Sequence, residues 1–331
     1  MADPKVVGGV AVDDEGVSFV TATVDDKPGV IARDPQIRFC PRPPSGYSTE
    51  FLNAEIPRLV EQNSLELSAV GISMFGLIRQ DEQHDANPAA RCDRLEEVPR
   101  PDWNRDSVLP LVFKEIVPAW AEIPVFVQND STAWALTEYT QLAKPEECPS
   151  FVFVRVGSGV GAGALWRGQP RPGSVHPEAG HMPIAKRKGD LLEVSTCRAH
   201  TDHDCLERLI SEEAILRRCP DAKSLDEISD GNPVWDLVAD YLTQLCATLT
   251  MVLAPDRIVV AGRTMRKGSQ VRESLYDELR ERFALVVGGY PRYVKSGILP
   301  NFIQKGKVWE DGSLRGAIEL ARQGIMSPKE R

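Results

Sequence analysis

The sequence predicts an α/β protein in which strands and helices alternate along the chain. Three observations predict it. Short runs of β-branched and aromatic residues recur, helix-spaced apolar stretches lie between them, and a glycine-rich turn follows directly on one strand. Val6–Val12 and Gly16–Val24 read as two strands around the acidic turn Asp13-Asp14-Glu15-Gly16. Tyr47–Leu65 carries Phe51, Leu52, Ile56, Leu59 and Val60 at the spacing of a helix with one buried face. Ala69–Ser73 is a strand ending in Met74-Phe75-Gly76; a helix over Ser107–Trp120 and a strand over Val125–Gln128 follow.

In the second half, Ser131–Leu142 reads as a helix and Phe151–Val156 as a strand that runs into the glycine-rich turn. Apolar residues at helical spacing from Pro233 to Leu253 mark a long buried helix, Pro255 closes it, and Ile258–Val260 is the next strand. No internal repeat, low-complexity tract or long linker is evident.

A chain of 331 residues suits two medium domains, and 42% hydrophobic residues suffice for sizeable cores. No apolar run is long enough to span a bilayer. Met1–Val12 lacks a basic region followed by an apolar core, so no signal peptide is expected and a cytoplasmic protein is. The net charge of -9 disfavours nucleic acid as a partner, and the basic tract Lys186-Arg187-Lys188 reads as a solvated loop.

Two constellations carry chemistry. In Gly157-Ser158-Gly159-Val160-Gly161-Ala162-Gly163, glycines let the backbone approach an anion closely, so that amide groups can face phosphate oxygens. No Walker sequence follows, and a tight hairpin between two buried strands accounts for the same glycines. The seven cysteines are scattered and odd in number, which argues against a disulfide framework. Yet His176, His181, His200 and His203 fall within thirty residues together with Cys197 and Cys205. That is the pattern of a metal site, with a chance surface cluster as the alternative.

Neighbouring motifs place these features in a family. Asn129-Asp130-Ser131-Thr132-Ala133 resembles the Asn-Asp-Ala-Asn-Ala stretch of ROK sugar kinases, and Val156–Gly163 is similar to their phosphate loop. His176-Pro-Glu-Ala-Gly-His181 resembles the His-Pro-Glu-x-Gly-His form of the fructokinase branch. Cys197, His200, Cys205 and Glu207 resemble that branch's Cys…His…Cys-x-Glu element. Val98-Pro-Arg-Pro-Asp-Trp103 with Asn104, and Asp311-Gly-Ser-Leu-Arg-Gly-Ala317, extend the likeness in the expected order.

The resemblance implies the actin-like ATPase (ribonuclease H-like) fold, with two lobes and a central cleft. An N-terminal lobe is expected over residues 1–127 and a C-terminal lobe with a zinc-binding loop over 128–331, the last helix able to pack back on the first lobe. It implies ATP- and magnesium-dependent phosphorylation of a hexose hydroxyl by a protein that is often a homodimer. Asp130 would be the general base; Asn129, Glu178, His181 and Glu207 would bind the sugar. An Asn-Asp helix cap is the structural alternative for Asn129 and Asp130. His181, Cys197, His200 and Cys205 would hold a structural zinc ion, with His203 as the rival to His200. His181 would then face the metal with one ring nitrogen and the sugar with the other.

Nucleotide contacts are expected from Asp13, Gly16, Gly157, Ser158, Gly159, Gly161 and Gly262, and two of those segments depart from the family. Glu15 and Val17 stand where it has glycine and threonine, and Arg263 stands where it has a third glycine. Trp134 is bulky where it has a small residue. The alternatives to a kinase are a ROK-fold enzyme doing other chemistry on a sugar or sugar-phosphate-like ligand, and a non-catalytic sugar sensor.

Overall fold

The computed structural model describes residues 5–24, 37–61, 66–80, 93–98, 111–171, 173, 175–192, 197, 199–200, 204–291 and 299–326. Two compact units emerge. The first comprises Met1–Ala143, Gln169–His176 and Glu310–Arg331, and the second Lys144–Gly168 and Pro177–Trp309.

In the first unit, β1 (Val6–Val12) and β2 (Gly16–Thr23) form an antiparallel hairpin that β3 (Arg38–Pro41) extends. Helix α1 (Thr49–Glu61) lays Leu52, Ile56 and Leu59 on one sheet face, against Val10, Val12 and the next strand, β4 (Leu67–Met74). A small sheet of β5 (Leu77–Arg79), β6 (Arg94–Glu97) and β7 (Leu111–Val112) follows. The strand β8 (Val125–Asn129) leads straight into α2 (Asp130–Thr140). The main sheet has the order β3-β2-β1-β4-β8, with β1, β4 and β8 parallel.

The helix expected over Ser107–Trp120 is corrected in its described part. Leu111–Val112 pairs with β6, and Phe113–Glu115 and Pro118–Glu122 form short 3₁₀ turns. Pro118 lacks an amide hydrogen and its ring crowds the preceding turn, so it starts a new turn instead of continuing a helix. The Val98–Trp103 motif lies largely outside the described residues.

The second unit opens with the antiparallel hairpin β9 (Ser150–Val156) and β10 (Val160–Trp166), then short helices α3 (Leu206–Ile210) and α4 (Glu212–Arg218). Helix α5 (Val234–Leu253) is buried along much of its length, through Val238, Tyr241, Leu242, Leu245, Cys246 and Leu249. It is followed by β11 (Arg257–Ala261), α6 (Glu273–Val287) and β12 (Ile303–Lys305). Strand β11 runs parallel to both β9 and β12, so the apolar runs Phe151–Val154 and Ile258–Val260 fill the middle of this core.

The chain then returns to the first unit as α7 (Gly312–Ile325), packed on β1, β4 and α2. Small residues permit the approach. A Cβ on Gly316 would lie 1.8 Å from the carbonyl oxygen of Ala133, and the Thr137 hydroxyl donates to the Gly312 carbonyl at 2.6 Å. Gly316→Ala must push α7 away from α2, and is expected to destabilise the protein by about 2–4 kcal/mol in chemical denaturation. A change below about 0.5 kcal/mol would refute this packing. No described helix is long and apolar enough to cross a membrane.

Candidate functional site

The first unit holds a row of strand ends. Val12, Met74 and Asn129 are in register across three parallel strands, so the acidic turn after β1 and the start of α2 share one sheet edge. Carboxyl ends of parallel strands are where open α/β sheets gather ligand groups. Asn129 is the N-cap of α2, its side chain accepting the Ser131 N–H at 2.9 Å. Asp130 accepts the same N–H at 2.7 Å and the Ser131 hydroxyl at 3.2 Å. Asp130 thus sits at a helix N-terminus, where the dipole favours a negative charge.

In the acidic turn, Asp13 accepts the N–H groups of Glu15 and Gly16 at 2.9 and 3.2 Å. Tyr47 donates to the Asp13 carbonyl at 2.8 Å, and the Arg42 guanidinium lies over the Tyr47 ring. Gly16 pairs with Pro41, and a Cβ there would meet the Cys40 carbonyl oxygen at 2.2 Å. Trp134 packs against Gly312, the first residue of α7.

In the second unit, Gly157–Gly159 is the tight turn of the β9–β10 hairpin, closed by the Gly157 N–H on the Gly159 carbonyl at 2.9 Å, and Val160–Gly163 open β10. Its ends are held too. The Val160 N–H donates to Glu207 Oε2 at 3.0 Å, and the Glu212 N–H donates to the Gly157 carbonyl at 2.7 Å. Gly180 presses on the same turn, since a Cβ there would stand 1.8 Å from the Val160 oxygen.

Beside it, the side chains of His181, Cys197, His200 and Cys205 converge, with one ligand atom from each within 4.8 Å of the others. Cys197 Sγ is 3.5 Å from His181 Nδ1 and 3.7 Å from His200 Nδ1. Standard zinc–sulfur and zinc–nitrogen bonds at the tetrahedral angle place S and N about 3.6 Å apart, so this donor set fits a closed zinc site. His203 lies outside the described residues. The segment after His181 is stitched to the segment bearing Cys205 by a Pro183–Cys205 bridge and by the Leu206 N–H on the Met182 carbonyl at 3.1 Å. Hydrogen bonding with Cys205 first, then with His181, holds the Cys197 thiol far below its usual range; Cys205 is correspondingly raised. His181 is pushed up to about 9, chiefly by its bond to Cys197. With Nδ1 toward Cys197, its Nε2 faces Glu178 Oε2 at 3.8 Å. The imidazole therefore bridges the cluster and a half-exposed carboxylate.

Gly262 and Arg263 follow β11 and lie against the turn, the Arg263 Cβ being 3.7 Å from a Cβ built on Gly157. Both Nη atoms of Arg263 pair with the Asp226 carboxylate, which also accepts the Gly268 N–H at 2.6 Å. Those bonds, Arg263 foremost, lower Asp226 to about 2. Asp226 had no signature in the sequence.

Comparison with known proteins places the chain as a whole. The ROK family pattern matches residues 10–324. The chain belongs to the ROK family. A fructokinase of Pediococcus pentosaceus is 27% identical over 78% of this chain and 82% of its own length. One of Zymomonas mobilis is 29% identical over 80% of this chain and 81% of its own length. The crystal structure of a ROK family glucokinase from Streptomyces griseus, in complex with glucose and AMPPNP, superposes with a TM-score of 0.67 at 20% identity. That match covers 96% of this chain and 99% of the glucokinase. The fold of this ROK protein is thus the actin-like ATPase fold.

Proposed function

We propose that this ROK protein is a carbohydrate kinase that transfers the terminal phosphoryl group of ATP to a hexose hydroxyl, in the manner of the fructokinases. The observation that carries the reading is the joining of three parts in the second unit. A glycine-rich turn suited to phosphate is bonded to Glu207, two residues from a cluster ligand, and another ligand, His181, faces Glu178. In this reading Asp130 accepts the proton of the attacking hydroxyl, and Asn129, Glu178, His181 and Glu207 bind sugar hydroxyls. Asp13, Gly16, Gly157, Ser158, Gly159, Gly161 and Gly262 face the nucleotide, whose phosphates carry magnesium. Zinc, held by His181, Cys197, His200 and Cys205, would fix the loop that bears His181. The active form is a homodimer.

A second reading has a specific support. The Arg263–Asp226 pair stands beside the glycine-rich turn where the family resemblance calls for an open glycine. A ROK protein with that pair in place of a base pocket would act on a sugar or sugar-phosphate-like ligand without ATP. Calorimetric titration with magnesium–ATP, with and without fructose, separates the two. ATP binding that tightens in fructose is expected; sugar binding without ATP binding would replace the kinase reading by the second.

A further inference from the structure

One residue of the glycine-rich turn is gripped from both sides by the two arms of the histidine–cysteine cluster. The N–H of Val160 donates to the Glu207 carboxylate at 3.0 Å, and its carbonyl oxygen abuts the backbone of Gly180. Glu207 follows Cys205 by two residues on the first turn of α3, and Gly180 immediately precedes His181. These arms come from separate stretches of chain. Their side chains meet at the cluster, and their backbones are joined by the Leu206–Met182 hydrogen bond.

We infer that Glu207 is a positioning residue that couples occupancy of the four-ligand cluster to the geometry of the glycine-rich turn. With the cluster filled, Cys205 and His181 are held at fixed separation, so Glu207 and Gly180 clamp Val160 at its N–H and its carbonyl together. With the cluster empty, the Cys205 arm loses an anchor and the carboxylate no longer has one fixed position relative to Gly180. The buried Val160 N–H then loses a charge-assisted acceptor, and an amide left without one in a buried site opens more readily. A bistable contact biased from one site and felt at another is the physical content of such coupling. The effect on donor binding rests on the kinase reading above; the coupling itself does not.

Hydrogen–deuterium exchange of the peptide spanning 157–163 tests it on the full chain. Zinc-loaded Glu207→Ala should exchange roughly tenfold faster there than zinc-loaded wild type, with zinc content unchanged. Glu207→Gln keeps a neutral oxygen acceptor and should exchange at the turn more slowly than Glu207→Ala, closer to wild type, whatever it does to sugar affinity. Chelation should speed exchange of the turn in wild type by a similar factor and add little in Glu207→Ala, because both act through one contact. Unchanged exchange in loaded Glu207→Ala, or chelation effects that simply add to it, would overturn the coupling. Where chelation unfolds the whole unit, the contrast between loaded Glu207→Ala and Glu207→Gln decides. A wild type that phosphorylates no sugar overturns the kinase reading, while the exchange result still decides this one.

Discussion

Asp130→Asn is expected to lower sugar phosphorylation by about 10²–10⁴-fold, the range for loss of a general base, while sugar still binds. The substitution is nearly isosteric. Its side-chain oxygen can still accept the Ser131 N–H that Asp130 accepts at 2.7 Å, and the cap supplied by Asn129 is untouched. A small loss of stability, about 0.3–1 kcal/mol, is expected because the carboxylate's charge at the helix N-terminus is removed. That loss is far too small to account for the missing turnover. Titration with fructose reports binding and a coupled assay reports turnover. Full activity in the variant would take the base role away from Asp130.

The second large effect is expected at the cluster. The purified protein should carry one equivalent of zinc, and Cys197→Ser should lose it. Metal bound only by the folded chain stabilises it by its binding free energy. Losing about 3–5 kcal/mol of that would lower the melting temperature by roughly 10 °C for a unit of this size. Cys197 is the ligand to choose, because its sulfur lies near the nitrogens of both His181 and His200. Acid should release the ion from wild type as well, since the imidazoles and thiolates must take up protons as pH falls. Metal analysis of the purified protein and a thermal melt decide the matter. A wild type free of metal and equal in stability to the variant would end the zinc assignment.

Much of this was legible in the residues themselves. Strands such as Phe151–Val156 and the long helix ending before Pro255 announce themselves through local pattern, and the structure has them at Ser150–Val156 and Val234–Leu253. The convergence of the cluster was legible because its four side chains fall within a short stretch of chain. Where two local signals conflicted, the apolar spacing over Ser107–Trp120 was misleading and Pro118 prevailed. What stayed hidden depends on contacts between distant segments. No spacing rule links Glu207 to Val160, or Arg263 to Asp226, because tertiary packing alone brings those side chains together. Gly180 looked like a motif letter, and only the close approach of Val160 supplies its physical reason.

Helix α7 has a consequence for biosynthesis. The ribosome releases β1, β4 and α2 early, yet the helix that covers them is translated after every residue of the second unit. Until then the nascent sheet carries an uncovered apolar face, the kind of transient exposure that invites aggregation. Closing contacts between such remote parts of a chain is also slow, because the intervening loop entropy comes first. Cotranslational folding of this protein should therefore lean on chaperones until the last turns of α7 emerge, and should be sensitive to stalling just before Gly312.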